Sequence, residues 1–347
     1  MSIDEAMNTS NAAPSTEATQ AATPATVEER FKAFVGRGKF NDLDPTITKP
    51  NFRFNIMGVD CVPSGELTAI AGKPGAGKST ALAILVGILI GRTSFAGIRC
   101  VTPCSKVLWI DTEKGEYTCQ QKMQVFRRVA NIDQFQRLED VGVDFYLMRQ
   151  ETTEDRLYFV DALSQLDAYD AIVVDGIFDL TKDPDKEYSP VTDLLRRMAD
   201  RKASVFAMLH TNKNDDNMRY ALGTELQRLV TTRFDVEFKG GQHIIKHTKS
   251  NDSALAPEVA FVFDEWGGVI PASESPEVKA KEEASVDELR QLMKKVFGVA
   301  TTLRNTDIKN LLVSQSMSMS TANRRISEAK AKGVLILKGR DYSIGDI

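Results

Sequence analysis

The sequence holds only four cysteines, no long apolar run and almost no net charge, and each shortage removes a class of protein. Cys61, Cys100, Cys104 and Cys119 suit a reducing compartment, where they stay thiols. Cys100 and Cys104 form a lone C-x-x-x-C with no second pair and no histidine near it, so the paired spacing of a zinc site is missing. The longest apolar run, from Ala81 to Ile90, is about half of what a bilayer span needs. The first residues offer neither a basic start nor an apolar stretch, so no secretory signal is expected, and a cytoplasmic protein without a membrane partner is the plain expectation. A formal net charge of −4 does not announce a nucleic-acid binder, although a local patch can hide inside such a balance.

Large apolar side chains are also nearly absent from residues 1–26, which are mostly Ala, Thr and Ser. Such a segment buries too little surface to offset its ordering entropy, and a disordered tail is expected. Residues 27–58 read as a short amphipathic helix over 27–34, with Phe31 and Phe34 on one side, and an irregular lead-in to Gly58. Residues 59–270 carry the regular pattern. ELTAIA, KVLWID, VDFYLM, AIVVD and SVFAML are strands by composition and length, separated by helical stretches over Lys78–Gly91, Glu116–Ala130, 153–166 and 191–201. Near-continuous apolar strands alternating with helices predict an α/β fold, a mostly parallel sheet covered on both faces. RFDVEFKGG, HIIKHTK and EVAFVFDE follow with short turns, which predicts an antiparallel extension at the sheet edge. Residues 271–285 are polar, charged and proline-bearing and read as a linker. Helices are expected over 286–297, Asn305–Ser314 and 321–332, with Ser320 capping the last, then a hairpin around Gly339. That order over 286–347 is the pattern of a small winged helix-turn-helix domain.

The chemistry starts at Gly72-Lys73-Pro74-Gly75-Ala76-Gly77-Lys78-Ser79-Thr80, which has the spacing G-x-x-x-x-G-K-[ST] of a nucleotide phosphate loop. Its glycines let backbone N–H groups turn toward phosphates, Lys78 supplies positive charge, Ser79 offers a hydroxyl to Mg²⁺, and a helix points its positive end at the anion. ATP and Mg²⁺ are the expected ligands. Asp175, leaving the apolar strand AIVVD, is the expected second holder of Mg²⁺. Glycine follows it, so a carboxylate that polarises water must come from elsewhere; Glu113 in WIDTEKGEY is the first candidate, with Glu116 and Asp111 behind it. The competing role for Glu113 is to cap the following helix. His210, ending a buried strand, suits a γ-phosphate sensor or a capping, satisfied buried histidine, and the polar stretch after it is a solvated loop or one whose Lys213 and Arg219 could follow a phosphate backbone. Lys246 and Lys249 are candidates for the basic finger that reaches a neighbouring subunit's phosphate, or for an exposed basic edge strand. Asn212, Lys213 and Asp215 match the N-K-x-D by which GTPases read guanine, but DTEKG is one residue too long for the D-x-x-G that should accompany it.

Taken in order, GKPGAGKST, LWIDTEKGEY, AIVVDGIFDL, LHTNK and LGTEL resemble the RecA-fold ATPases of plasmids and mobile elements, relatives of the RepA-type hexameric replicative helicases. The resemblance implies Mg²⁺-dependent ATP hydrolysis at subunit interfaces of a homo-oligomer, a hexamer, with single-stranded DNA in a central channel. A lysine pair stands where the finger arginine is usual, and the module behind is an addition. Residues 284–347 carry 11 Lys and Arg against 6 Asp and Glu. In that module Thr321, Asn323 and Arg324 suit base edges and phosphates of duplex DNA, and Lys338 and Arg340 suit backbone phosphates. Alternatives are a DNA-binding regulatory ATPase without strand separation, a protein-docking module at the C-terminus and, remotely, a GTPase.

Overall fold

A computed structural model describes residues 26–37, 49–212 and 218–345; Lys213, Asp215 and nearly all of the expected tail lie outside them. The chain divides into two compact units, residues 1–49 and 50–347. In the first, α1 (Val27–Arg37) runs three residues beyond the expected helix. Thr26 and Glu29 cap it reciprocally: the Thr26 hydroxyl accepts the Glu29 N–H at 3.2 Å and the Glu29 carboxylate accepts the Thr26 N–H at 2.7 Å.

The second unit opens with a hairpin where an irregular lead-in was expected. β1 (Phe52–Ile56) pairs antiparallel with β2 (Val59–Pro63). Met57 and Gly58 both take positive φ, 48° and 96°, and Asn55 Oδ1 accepts the Gly58 N–H at 3.0 Å. A Met-Gly turn lacks the Asn-Gly signature that announces such a hairpin, so a domain start at residue 59 cuts through it. β4 (Ser94–Phe95) and β5 (Ile98–Cys100) complete a four-stranded sheet. Buried Arg53 ties it to the main sheet, donating to Ser204 Oγ and to the Asp170 carbonyl, both at 2.8 Å.

Among the described residues the main sheet has nine strands. Six are parallel: β10 (Thr232–Lys239), β3 (Leu67–Gly72), β9 (Ser204–His210), β8 (Ala171–Asp175), β6 (Val107–Asp111) and β7 (Val143–Leu147), in that spatial order. β11 (Gln242–Ser250), β12 (Val259–Phe263) and β13 (Val269–Pro271) extend it antiparallel, whereas RFDVEFKGG, expected in that extension, forms β10 parallel to β3 because the helix Tyr220–Leu229 carries the chain back across the sheet. Side chains of the parallel strands alternate between two apolar layers. Val107, Trp109, Val173, Phe206 and Met208 face one; Leu108, Ile110, Val174, Ala207 and Leu209 face the other. The first layer is closed by α2 (Lys78–Gly91) and α3 (Glu116–Ala130), the second by α4 (Thr153–Leu163), α5 (Ser189–Asp200) and α6 (Tyr220–Leu229). The α2 helix is apolar nearly all round because it lies between β-sheet and α3. Gly91 permits that approach: a Cβ there would lie 2.4 Å from the Ala130 carbonyl oxygen.

The stretch read as a linker is mostly helix. Ser275 accepts the Val278 N–H, Pro276 takes the first helical position, and α7 (Pro276–Phe297) continues unbroken into the C-terminal module. Cap chemistry prevailed there over a polar composition. α8 (Asn305–Ser314), α9 (Met319–Ala331), β14 (Leu335–Lys338) and β15 (Asp341–Ile344) follow, around a core of Leu289, Met293, Ile308, Leu312 and Ile326. The cap of α9 is Ser318, two residues earlier than expected; its hydroxyl accepts the Thr321 N–H at 3.2 Å.

Candidate nucleotide site at the strand tips

The parallel strands end together, and the order β3–β9–β8–β6 lines up the ends that carry Gly72, His210, Asp175 and Asp111. The loop from Gly72 turns through Gly75 and Gly77, with φ of 77° and 94°, into α2. Gly77 is the N-cap and no side chain caps the helix, so its first N–H groups are available to an anion. Gly77 also has close support from outside: His243 Nδ1 bonds the Ala76 carbonyl at 2.8 Å, and a Cβ on residue 77 would lie 2.6 Å from that nitrogen. Lys73, Pro74 and Gly75 are exposed, while Ser79 and Thr80 are half-buried on the first turn of α2.

Lys78 is buried and folds back over the loop, donating to the Lys73 carbonyl at 3.0 Å and to His210 Nδ1 at 3.0 Å. That second bond leaves the ring proton on Nε2, which faces Glu113 at 3.5 Å. Lys78, His210 and Glu113 thus form one polar chain across the tips of β3, β9 and β6. Burial lowers the Lys78 ammonium to about 8, against the pull of Glu113 and Asp175. The hydrogen bond from His210, opposed by burial and joined by Lys114 at 3.0 Å, holds the Glu113 carboxyl down at about 2. So acidic a carboxylate is a poor proton acceptor but a firm hydrogen-bond acceptor for a water molecule.

Glu113 is not the helix cap, since Gly115 holds that position without a side-chain bond. Glu116 is exposed on α3. Asp111 has a holding role: its Oδ1 accepts the N–H groups of Glu113 at 3.0 Å and Lys114 at 2.8 Å. Gly176 owes its identity to the same corner. It has φ of 107°, and a Cβ there would meet Thr112 Oγ1 at 2.2 Å and Glu113 Cγ at 2.8 Å.

A lysine that sequence reasoning missed lies beneath these groups. Lys122 on α3 is buried and bonds Oδ2 of both Asp111 and Asp175. Burial disfavours its charge, yet the two carboxylates outweigh burial and raise it. Burial in turn pushes the Asp175 carboxyl up, with Lys122 opposing. The signal was periodicity: Lys122 falls on the buried face of α3 with Cys119, Met123 and Phe126. The second oxygen of Asp175, Oδ1, is buried with no hydrogen-bond partner among the described residues, and Ser79 Oγ meets only the weak acceptor Met208 Sδ at 3.5 Å. A hydroxyl and a buried carboxylate oxygen, both with capacity to spare, fit Mg²⁺.

The remaining candidates are placed unevenly. A cleft of about 510 Å³ beside the loop is lined by Lys73, Pro74, Thr211, Phe238 and Lys246. Lys246 sits opposite Asp235, itself beside Ala71 at the loop end of β3, and pairs with Glu237 at 2.5 Å and Glu258 at 3.4 Å. Lys249 lies opposite Arg233, level with Ala69 and further from the loop, and donates to the Gln227 carbonyl at 2.8 Å. Arg219 caps α6, its N–H donating to the His210 carbonyl at 3.1 Å. In the C-terminal module Asn323, Arg324, Lys338 and Arg340 are exposed, while Thr321 is half-buried with its hydroxyl 2.9 Å from that of Ser318.

Sheet order, phosphate loop and helix-covered faces define a P-loop nucleoside triphosphatase with a RecA-like core. A family model described as an AAA domain matches residues 35–216, just over half of the chain, and the chain belongs to that family. No curated protein matches the sequence. Among solved structures, the flagellar accessory protein FlaH of Methanocaldococcus jannaschii is similar at a TM-score of 0.42 and 15% identity, over 59% of this chain and 88% of that one. A KaiC-like protein of Pyrococcus horikoshii is similar at a TM-score of 0.47 and 13% identity, over 64% of this chain and 99% of that one. Among the described residues no helix is long and apolar enough to cross a membrane.

Proposed function

We propose that the chain hydrolyses ATP with Mg²⁺ as a cytoplasmic homo-oligomer acting on DNA, in the manner of a helicase of a plasmid or mobile element. The observation that carries the hydrolytic part is the chain Lys78–His210–Glu113, which links the phosphate loop to a water-orienting carboxylate across three strand tips. Ser79 and Asp175 would hold Mg²⁺, which when bound supplies positive charge to the phosphate oxygens. Lys78 leaves His210 for the γ-phosphate, and the freed Nδ1 lets His210 register whether that phosphate is present. Glu113 orients the attacking water by hydrogen bonding.

Oligomerisation is supported by unlike apolar surfaces toward the two sheet edges: exposed Phe263 and Trp266 on the antiparallel side, exposed Tyr146 and Leu147 on the edge strand β7. Unlike patches at opposite edges suit a head-to-tail ring, a hexamer on the family resemblance. Lys246 and Lys249 both remain finger candidates, Lys246 lining the cleft beside this chain's own loop and Lys249 lying further from it. Single-stranded DNA would pass Lys213 and Arg219, and duplex DNA would meet Asn323, Arg324, Lys338 and Arg340, with Thr321 at the start of the same helix.

The test is ATP turnover without DNA, with single-stranded DNA and with duplex DNA, each beside Lys78→Ala. Stimulation by single strands, lost in the variant, is the expected result. Turnover indifferent to single strands, with specific duplex binding by the C-terminal module, would instead favour a regulatory ATPase. The exposed polar face of α9 is the observation behind that second reading.

A further inference from the structure

Two carboxylates at adjacent buried strand ends should repel, and here they do not stand alone. Asp111 and Asp175 are register partners on β6 and β8, both fully buried. Lys122 places one ammonium against Oδ2 of each. Asp111 is also the anchor of the Glu113 turn through its Oδ1, and its Oδ2 accepts the Cys119 thiol at 3.3 Å. Asp175 is left with Oδ1 buried and free among the described residues.

We propose that Lys122 is a positioning residue, fixing in one frame the turn that carries Glu113 and the carboxylate that faces Mg²⁺. The inference rests on the ATP-hydrolase reading. Through Asp111 it sets where Glu113 leaves β6; through Asp175 Oδ2 it dictates which oxygen remains for the metal side. An ammonium has three donors, and these two bonds spend two of them in different directions, so the lysine fixes a distance between strand tips as well as a charge. A buried ion pair that served folding alone would be replaceable by apolar side chains at little cost, and that contrast makes the role testable.

The full-length protein is compared with Lys122→Met and with Asp111→Asn/Lys122→Met, the second removing one charge of each sign so that the net charge of the three groups stays that of the parent. Binding of a fluorescent ATP analogue is titrated at rising Mg²⁺, beside thermal melting and ATP turnover. Without Mg²⁺ both variants should bind the analogue like the parent, because the phosphate loop is untouched. The Mg²⁺ concentration that half-maximally tightens binding should rise about tenfold to a hundredfold, as expected when a group orienting a metal ligand is lost. Turnover at saturating Mg²⁺ should fall mainly in kcat rather than KM. Parental Mg²⁺ response in either variant would overturn the proposal. So would loss of cooperative melting together with loss of Mg²⁺-free binding in both, which would make Lys122 a folding element. If the parent hydrolyses no ATP the hydrolase reading falls, while the Mg²⁺ titration still decides the role of Lys122.

Discussion

The strand tips of the core and the C-terminal module treat charge in opposite ways. At the tips Lys78, Asp111, Lys122 and Asp175 are all buried, Lys122 bonding both aspartates and Asp175 acting on Lys78. In the module Ser343 is the one buried polar residue among those described; on α9 Arg324 is exposed, 3.8 Å from Glu328, and Arg325 is half-buried, bonding Glu288 at 2.8 Å. Burying charge is costly unless each ion finds a partner, so a fold that keeps four such groups at one place has a use for them. Exposed charges carry no such cost and suit more than one partner. The tips therefore specify a chemistry, whereas the module specifies a surface.

The largest effect that would break this contrast is at Glu113. Glu113→Ala, which removes the oxygen that orients the water, should lower ATP turnover by about a hundredfold with nucleotide affinity retained, measured by steady-state kinetics beside analogue binding. Retained turnover would remove the chemistry from the tips. Next comes the separateness of the module. Leu312→Ala should destabilise it by about 2–5 kcal/mol, read as lost amide-exchange protection over residues 286–344. Turnover without DNA should stay within about twofold, as distant sites rarely couple.

A third prediction sharpens the account of Lys78. Its folded value of about 8 lies below its ordinary 10.5, so between those values the unfolded chain carries a proton that the folded apo chain lacks. This group then makes apo stability rise with pH across the window. ATP affinity should move the other way, falling by up to about tenfold per pH unit above 8 as the phosphate loses its ammonium. Calorimetric titration from pH 7 to 10 checks both signs, with Lys78→Ala removing the dependence. The smallest effect belongs to the exposed surface: Arg324→Ala should weaken duplex DNA binding several-fold and reduce the slope of log affinity against log salt by about 0.9.

The phosphate loop and five parallel strands could be read from the sequence because apolar runs of strand length, punctuated by glycine and followed by helical periodicity, admit few other folds. Glu113 and Asp175 were legible as candidates because both end such runs. Lys122 was not, since a lysine in a helix defaults to solvent and only its company on the buried face argues otherwise. The β1–β2 hairpin escaped for want of a turn signature, and the start of α7 because charge and proline suggest a linker unless Ser275-Pro276-Glu277 is read as a cap. The difference between Lys246 and Lys249 lay in strand direction, which residue types do not encode.

Gly176 carries one more consequence. Thr112 and Glu113 fill the volume that any side chain at 176 would need, so this corner has a single seat. A carboxylate arriving at 176 could sit there only if the one at 113 departed, and the two solutions exclude each other as alternative keys to one lock. The identity of the residue after Asp175 thus records which strand can bring a carboxylate into this corner. With glycine at 176, the corner is left to the carboxylate of the neighbouring strand.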